Sequence, residues 1–146
     1  MAEAELLYLN DNPHTRASTL VETRELRENT RIREKYPNHI TKRTAPLLYD
    51  LRAVKHKTEI LQMQRACDIT KAGLERVLQF VKPGVMEYEI EAEFLHEFIR
   101  RGSRRFAYTP IVGSGANSCV LHYIENNKEC KDGDVVLMDV GAEYGN

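Results

Sequence analysis

Two side chains have the types and settings that could do chemistry: Asp139, inside the apolar run 135–144, and His122, inside Cys119-Val120-Leu121-His122-Tyr123. If residues 135–144 form a strand, alternation puts Val136, Met138, Val140 and Ala142 on one face and Val135, Leu137, Asp139, Gly141 and Glu143 on the other. A carboxylate then arrives in mid-strand among hydrophobic neighbours, where burial without a cation or hydrogen-bond donors is costly. Such an aspartate is a metal ligand, a catalytic acid, or a buried group satisfied by backbone or arginine, and spacing alone leaves these open. His122 is likewise either a reactive imidazole or a hydrogen-bonded core histidine. On a strand it shares a face with Val120 while Cys119, Leu121 and Tyr123 point away, which disfavours a Cys119/His122 nucleophile pair.

Other chemical readings are weaker. Gly113-Ser114-Gly115-Ala116-Asn117 has the glycines of a phosphate cradle but no following helix, third glycine or Gly-Lys-Ser/Thr, so a nucleotide site is not expected. Cys67, Cys119 and Cys130 are an odd set without a C-x-x-C pair, which fits neither a disulfide framework nor a zinc knuckle and implies reduced thiols. Arg27, Arg31 and Lys35 recur every four residues. They make either an anion-binding helix or, more simply, a solvated linker helix.

These residues need elements to position them. Ile60, Met63, Cys67, Thr70, Leu74, Val77 and Val81 are spaced alternately three and four apart, predicting an amphipathic helix closed by Lys82-Pro83-Gly84, with Cys67 a small buried hydrophobe. A second helix is expected over 87–101, with Glu87, Glu89, Glu91 and Glu93 early, Arg100 and Arg101 late, and Gly102 beyond, an order that complements the helix dipole. Its buried face is Ile90, Phe94, Leu95 and Phe98, with His96 in solvent. The period then changes to two, predicting strands over 106–112, 120–124 and 135–144, with Gly113-Ser114-Gly115 and Lys131-Asp132-Gly133-Asp134 as turns. Two helices followed by strands in short succession argue an α+β domain with an antiparallel sheet.

The amino-terminal stretch differs. Leu6-Leu7-Tyr8-Leu9 reads as a short strand, and Thr19-Leu20-Val21-Glu22 as a capping box opening a helix that ends before Pro37. Val21, Leu26, Ile32 and Tyr36 form only a thin apolar stripe along it, and Ala45-Pro46 reads as a break. Residues 1–57 hold 11 basic and 8 acidic side chains, net +3, and residues 58–146 hold 10 and 14, net −4, so the chain has two unlike parts. The boundary is expected near residue 54, giving parts 1–54 and 55–146. A total charge of −1 over 146 residues excludes a general polyanion binder, so no nucleic acid is expected as partner. No run is apolar enough for a membrane helix, and the acidic start is unlike a secretory signal, so a soluble cytoplasmic protein is expected.

Taken together, Tyr108-Thr109-Pro110-Ile111-Val112-Gly113-Ser114-Gly115, Leu121-His122-Tyr123-Ile124-Glu125-Asn126 and residues 132–144 resemble the pita-bread metallopeptidases, and within them the aminopeptidase P group more than prolidase. The resemblance runs from about Arg52 to Asn146. It implies the first half of a pita-bread catalytic domain, preceded by the end of an amino-terminal domain and a linker. The activity implied is Xaa-Pro aminopeptidase: hydrolysis of the bond between an N-terminal residue and a following proline by two divalent metal ions, usually manganese. Asp139 matches the first metal-binding carboxylate. His122 matches the histidine beside the metals that contacts substrate and assists proton movement. The family's other ligands would fall beyond Asn146, so the chain is expected to be a fragment inactive by itself, with exposed strand edges that favour self-association. A pita-bread relative that serves only as a binding or assembly module is the alternative from a different functional class.

Overall fold

The structure, a computed structural model, describes residues 4–11 and 22–145. They fall into two compact units, Met1–Lys55 and His56–Asn146.

In the first unit, strand β1 (Leu6–Leu9) leads through helix α1 (Arg24–Lys35) to strand β2 (Ile40–Arg43), then helix α2 (Ala45–Ala53). β1 and β2 pair in parallel, Leu6 opposite Ile40 and Leu9 opposite Arg43. Thr19, Leu20 and Val21 lie outside the described residues. The helix is instead capped by Thr23, whose Oγ1 accepts from Leu26 N at 3.2 Å, with Glu22 ahead of the first turn. Polar contacts fix α1 where the apolar stripe is thin: buried Asn29 donates to Asn10 O at 3.1 Å and to Asp11 Oδ1 at 2.9 Å, and Arg33 pairs with Asp11. Arg27, Arg31 and Lys35 are exposed, with Arg31 paired to Glu28 at 3.6 Å, as in a solvated helix. Ala45-Pro46 starts a helix where a break was expected, because proline's missing N–H is harmless in a first turn.

In the second unit, helix α3 (Lys57–Phe80) and helix α4 (Glu87–Arg100) precede strands β3 (Ile111–Ser114) and β4 (Val136–Asp139), with a 3-10 helix, Gly115–Cys119, after β3. Glu59 reaches back to His56 N at 2.7 Å to open α3, and Glu89 does the same for Met86 N before α4. Gly84 has φ +92 and its N–H meets Cys130 O at 2.8 Å, so the Lys-Pro-Gly closure both ends α3 and docks the turn on the 128–130 segment.

The expected stripe on α3 holds only at its end, where Val77 is buried and Val81 packs against the core; before that the buried face is a different one. Ile69, Gly73 and Val77 are buried, while Ile60, Met63, Cys67 and Leu74 are exposed. Gly73 decides this: a Cβ there would lie 2.8 Å from Phe98 Cε1 and 2.9 Å from Phe94 Cδ1, so α4 packs where α3 has no side chain. On α4, Ile90, Phe94 and Phe98 are buried, Leu95 is half-buried and His96 is exposed. Glu97, also buried, is met by Arg101 at 2.5 Å and Arg100 at 3.6 Å. Phe98 packs edge-on against Phe106, centroids 5.1 Å apart, in a core that includes Val85, Val112, Cys130 and Ala142.

The strands are shorter than alternation suggests. β3 and β4 pair antiparallel, Ile111 opposite Asp139 and Ser114 opposite Val136. Of residues 106–110, only Phe106 bridges, to Ala142, and Pro110 has no N–H to give a ladder. Gly113 and Ser114, expected in a turn, complete β3. The expected strand over 120–124 is absent: Leu121 and His122 form a turn, with His122 at φ +55, which no strand accommodates.

Candidate functional site

β4 does alternate as its sequence suggests. Val136, Met138, Val140 and Ala142 turn to the core, and Val135, Leu137 and Asp139 face out. Asp139 closes the strand and is exposed, so the burial cost anticipated for a mid-strand carboxylate does not arise. Its Oδ1 accepts from the Tyr108 hydroxyl at 2.7 Å, and among the described residues no donor meets its Oδ2. The neighbouring carboxylate favours the neutral phenol, and with partial burial it pushes Tyr108 up to about 12. Gly141 makes the approach feasible, because a Cβ there would meet the Tyr108 ring at 3.1 Å.

His122 is exposed, which overturns the core-histidine reading. No hydrogen bond joins it to Asp139 or to Cys119, whose sulfur lies 3.9 Å from Ser118 Oγ. The nucleophile pair thus fails for a different reason from strand parity.

Next to His122, Tyr123 is buried, and its hydroxyl donates to Glu87 Oε2 at 2.6 Å. Glu87, fully buried at the first residue of α4, also accepts from Lys128 N at 2.9 Å, Ser114 N at 2.7 Å and Asn117 Nδ2 at 3.2 Å. Burial alone would raise this carboxyl. The Tyr123 hydroxyl, the Ser114 and Lys128 amides and the Asn117 side chain outweigh it and hold Glu87 below the ordinary glutamate value. Asn126, buried at φ +44, accepts from Val112 N at 2.9 Å and donates to Glu91 Oε2 at 2.8 Å and Pro110 O at 3.1 Å.

The same bonds dispose of the phosphate cradle. Ser114 N is committed to Glu87, and Gly115 N to Val135 O at 2.9 Å. Neither faces a ligand. Sequence reasoning missed Glu87, which reads as one more acid at a helix start, and Asn126, which reads as loop. Only the motif around Tyr108 signals its part.

Asp139 is a hard oxygen donor of the kind manganese or zinc accepts. Among the described residues no group of three or more His, Cys, Asp or Glu side chains could hold a metal ion. Asp139 therefore fits as a single ligand, and these residues alone do not make a metal centre. Residues 61–146 match the sequence pattern of metallopeptidase family M24. The chain belongs to metallopeptidase family M24.

Three relatives frame this M24 chain. It is 46% identical over 99 residues to the Xaa-Pro aminopeptidase of Escherichia coli, covering 68% of the chain and 22% of that protein. It is 36% identical over 104 residues to the human Xaa-Pro dipeptidase, covering 68% and 21%. Its fold matches zinc-substituted E. coli aminopeptidase P in complex with product at a TM-score of 0.75, with 34% identity, over 97% of the chain and 32% of that structure. The chain spans about a fifth of the length of the curated relatives it matches. Over that part the α+β pita-bread architecture holds. No helix among the described residues is long and apolar enough to cross a membrane.

Proposed function

We propose that the chain is part of a metal-dependent Xaa-Pro aminopeptidase that releases an N-terminal residue preceding proline. The observation that carries this reading is Asp139, exposed at the end of β4 with one carboxylate oxygen unbonded, in a segment 46% identical to a Xaa-Pro aminopeptidase. In this reading residues 1–54 end an amino-terminal domain and its linker, and residues 55–146 are the first half of the catalytic domain. Asp139 is one ligand of a pair of divalent ions, with manganese suited to its oxygen donor. Bound, such a centre activates water and polarises the scissile carbonyl. His122 contacts the peptide and moves a proton. The three free thiols agree with a cytoplasmic setting.

With one candidate ligand the 146-residue chain is inactive: incubated with Mn²⁺ and an Xaa-Pro-containing tripeptide, it releases no amino acid. Joined to the coding sequence that follows Asn146, it releases the first residue, and Asp139→Asn abolishes release. Turnover by the chain alone, or no further metal-binding carboxylates in that following sequence, overturns the reading. Cleavage confined to Xaa-Pro dipeptides points to the dipeptidase, which the human relative supports as the second reading.

Self-association of the chain belongs to the same proposal. On α3 the residues Ile60, Met63, Leu74 and Leu78 are exposed along one side, and a two-stranded sheet leaves unpaired edges. Sedimentation at tens of micromolar is expected to show dimers or larger species, and a clean monomer contradicts it.

A further inference from the structure

His122 sits in a backbone conformation uncommon for any residue with a side chain. At φ +55 it is left-handed, at a cost of about 1 kcal/mol or more, and such strain persists only where the surroundings over-determine it. Its predecessor, Leu121, is 85% exposed and supplies no anchor. Its successor does: Tyr123 is 7% exposed, and its hydroxyl donates to Glu87 Oε2 at 2.6 Å while accepting from Asn127 N at 3.3 Å.

The far side of that bond is as firmly fixed. Glu87 takes two hydrogen bonds on each oxygen, from Tyr123 and Lys128 on Oε2 and from Ser114 and Asn117 on Oε1. Among the described residues no cation pairs with it; four donors replace one. Those donors come from the end of β3, the 3-10 helix, the His122 turn and the segment that returns toward β4. A single carboxylate thus gathers the entire chain excursion between β3 and residue 128 against the first turn of α4. Ser114 also donates its hydroxyl to Asp134 Oδ2 at 3.0 Å, which ties the excursion to the turn before β4, the strand that presents Asp139.

We propose that Glu87 and Tyr123 are the positioning pair for His122, fixing its left-handed turn so that the imidazole is held out from the unit in one direction. The proposal rests on the reading of His122 as the residue that meets substrate. Glu87 and Tyr123 touch no substrate in it; they act through the one residue whose backbone they constrain. The depressed Glu87 pKa keeps the carboxylate able to accept all four bonds at neutral pH.

The test reads His122 directly, by amide order parameters of the 146-residue chain labelled at histidine with ¹⁵N. In the parent chain the His122 amide is as rigid as structured backbone, about 0.85. Tyr123→Phe, which removes only the hydroxyl, is expected to drop it below about 0.6 while the His96 amide in α4 stays rigid. Asn117→Ala, a milder lesion on the same carboxylate, moves His122 the same way by less. Gly73→Ala controls for general loss of stability: it perturbs the helix pair and leaves His122 unmoved. An unchanged His122 amide in both loop variants overturns the proposal, as does an equal loosening in Gly73→Ala. The assay is independent of catalysis. Absence of Xaa-Pro cleavage removes the proposed reaction and leaves a loosened His122 as support for the positioning pair; a rigid His122 removes the pair and leaves the reaction standing.

Discussion

Tyr108 and Asp139, thirty-one residues apart, are joined by a 2.7 Å hydrogen bond in which the phenol donates to the carboxylate that β4 presents to solvent. The bond holds Oδ1 and leaves Oδ2 open. Because the folded pKa of Tyr108 is raised to about 12, its stabilisation is complete below the ordinary tyrosine value near 10 and is lost as pH rises through the interval between them. Asp139→Ala removes both the hydrogen-bond acceptor, the largest cause of the shift, and the charge beside it. The ultraviolet phenolate titration of that variant is expected to lose its latest-titrating tyrosine, and an unaltered curve would show that Asp139 does not hold the proton on Tyr108.

Glu87 supplies the opposite pH dependence. Its folded pKa is depressed, so the unfolded chain binds the proton first, and the stabilisation present above about pH 4.5 drains away as pH falls through the folded value. Urea unfolding of the chain at pH 7 and at pH 4 is expected to show the drop. Glu87→Ala strands four donors, each costing about 1–3 kcal/mol if left unpaired, so a total loss of at least about 3 kcal/mol at pH 7 is expected. In that variant the acid-side slope is shallower, and an identical slope would assign the acid sensitivity elsewhere.

Gly73→Ala should destabilise the second unit although alanine is the better helix former. The propensity gain is about 1 kcal/mol, whereas a Cβ 2.8–2.9 Å from the Phe94 and Phe98 rings demands repacking at about 1–3 kcal/mol. A net loss of about 1 kcal/mol is expected by thermal or urea unfolding. Adding Phe98→Leu, which withdraws the ring, should relieve the clash and make the double variant less damaged than the two losses summed.

Asn126 combines a left-handed backbone with three side-chain bonds around the entry to β3. Asn126→Gly keeps the backbone freedom and loses the bonds; Asn126→Ala loses both. The two variants should be destabilised in that order, with glycine costing about 2 kcal/mol and alanine more. If alanine were the milder change, backbone conformation would not be part of what Asn126 does.

What the sequence disclosed follows physical range. The two long helices and the alternation of β4 are local patterns, and they hold. The face of α3 is legible at Val77 but not before it, because Ile60, Met63, Cys67 and Leu74 make a regular apolar stripe, while the contact there is set by a glycine and two phenylalanines on another helix. The 120–124 segment alternates like a strand, yet Tyr123 is drawn inward by a carboxylate thirty-six residues earlier, and the turn forms instead. Asp139 was singled out for a burial that does not occur; its partner Tyr108 lies beyond any local period. The parallel β1–β2 pair has no signal in residues 40–43, where Ile-Thr-Lys-Arg has one apolar side chain.

The core position of Cys130 has a practical use as well. It is 3% exposed and burial raises its thiol pKa, whereas Cys67 and Cys119 are open to solvent. A thiol-alkylating reagent should therefore modify two sulfurs rapidly on the native chain and the third only when the second unit opens. Mass spectrometry of timed alkylation turns that silent thiol into a built-in clock for unfolding, one that needs no substrate, metal or label.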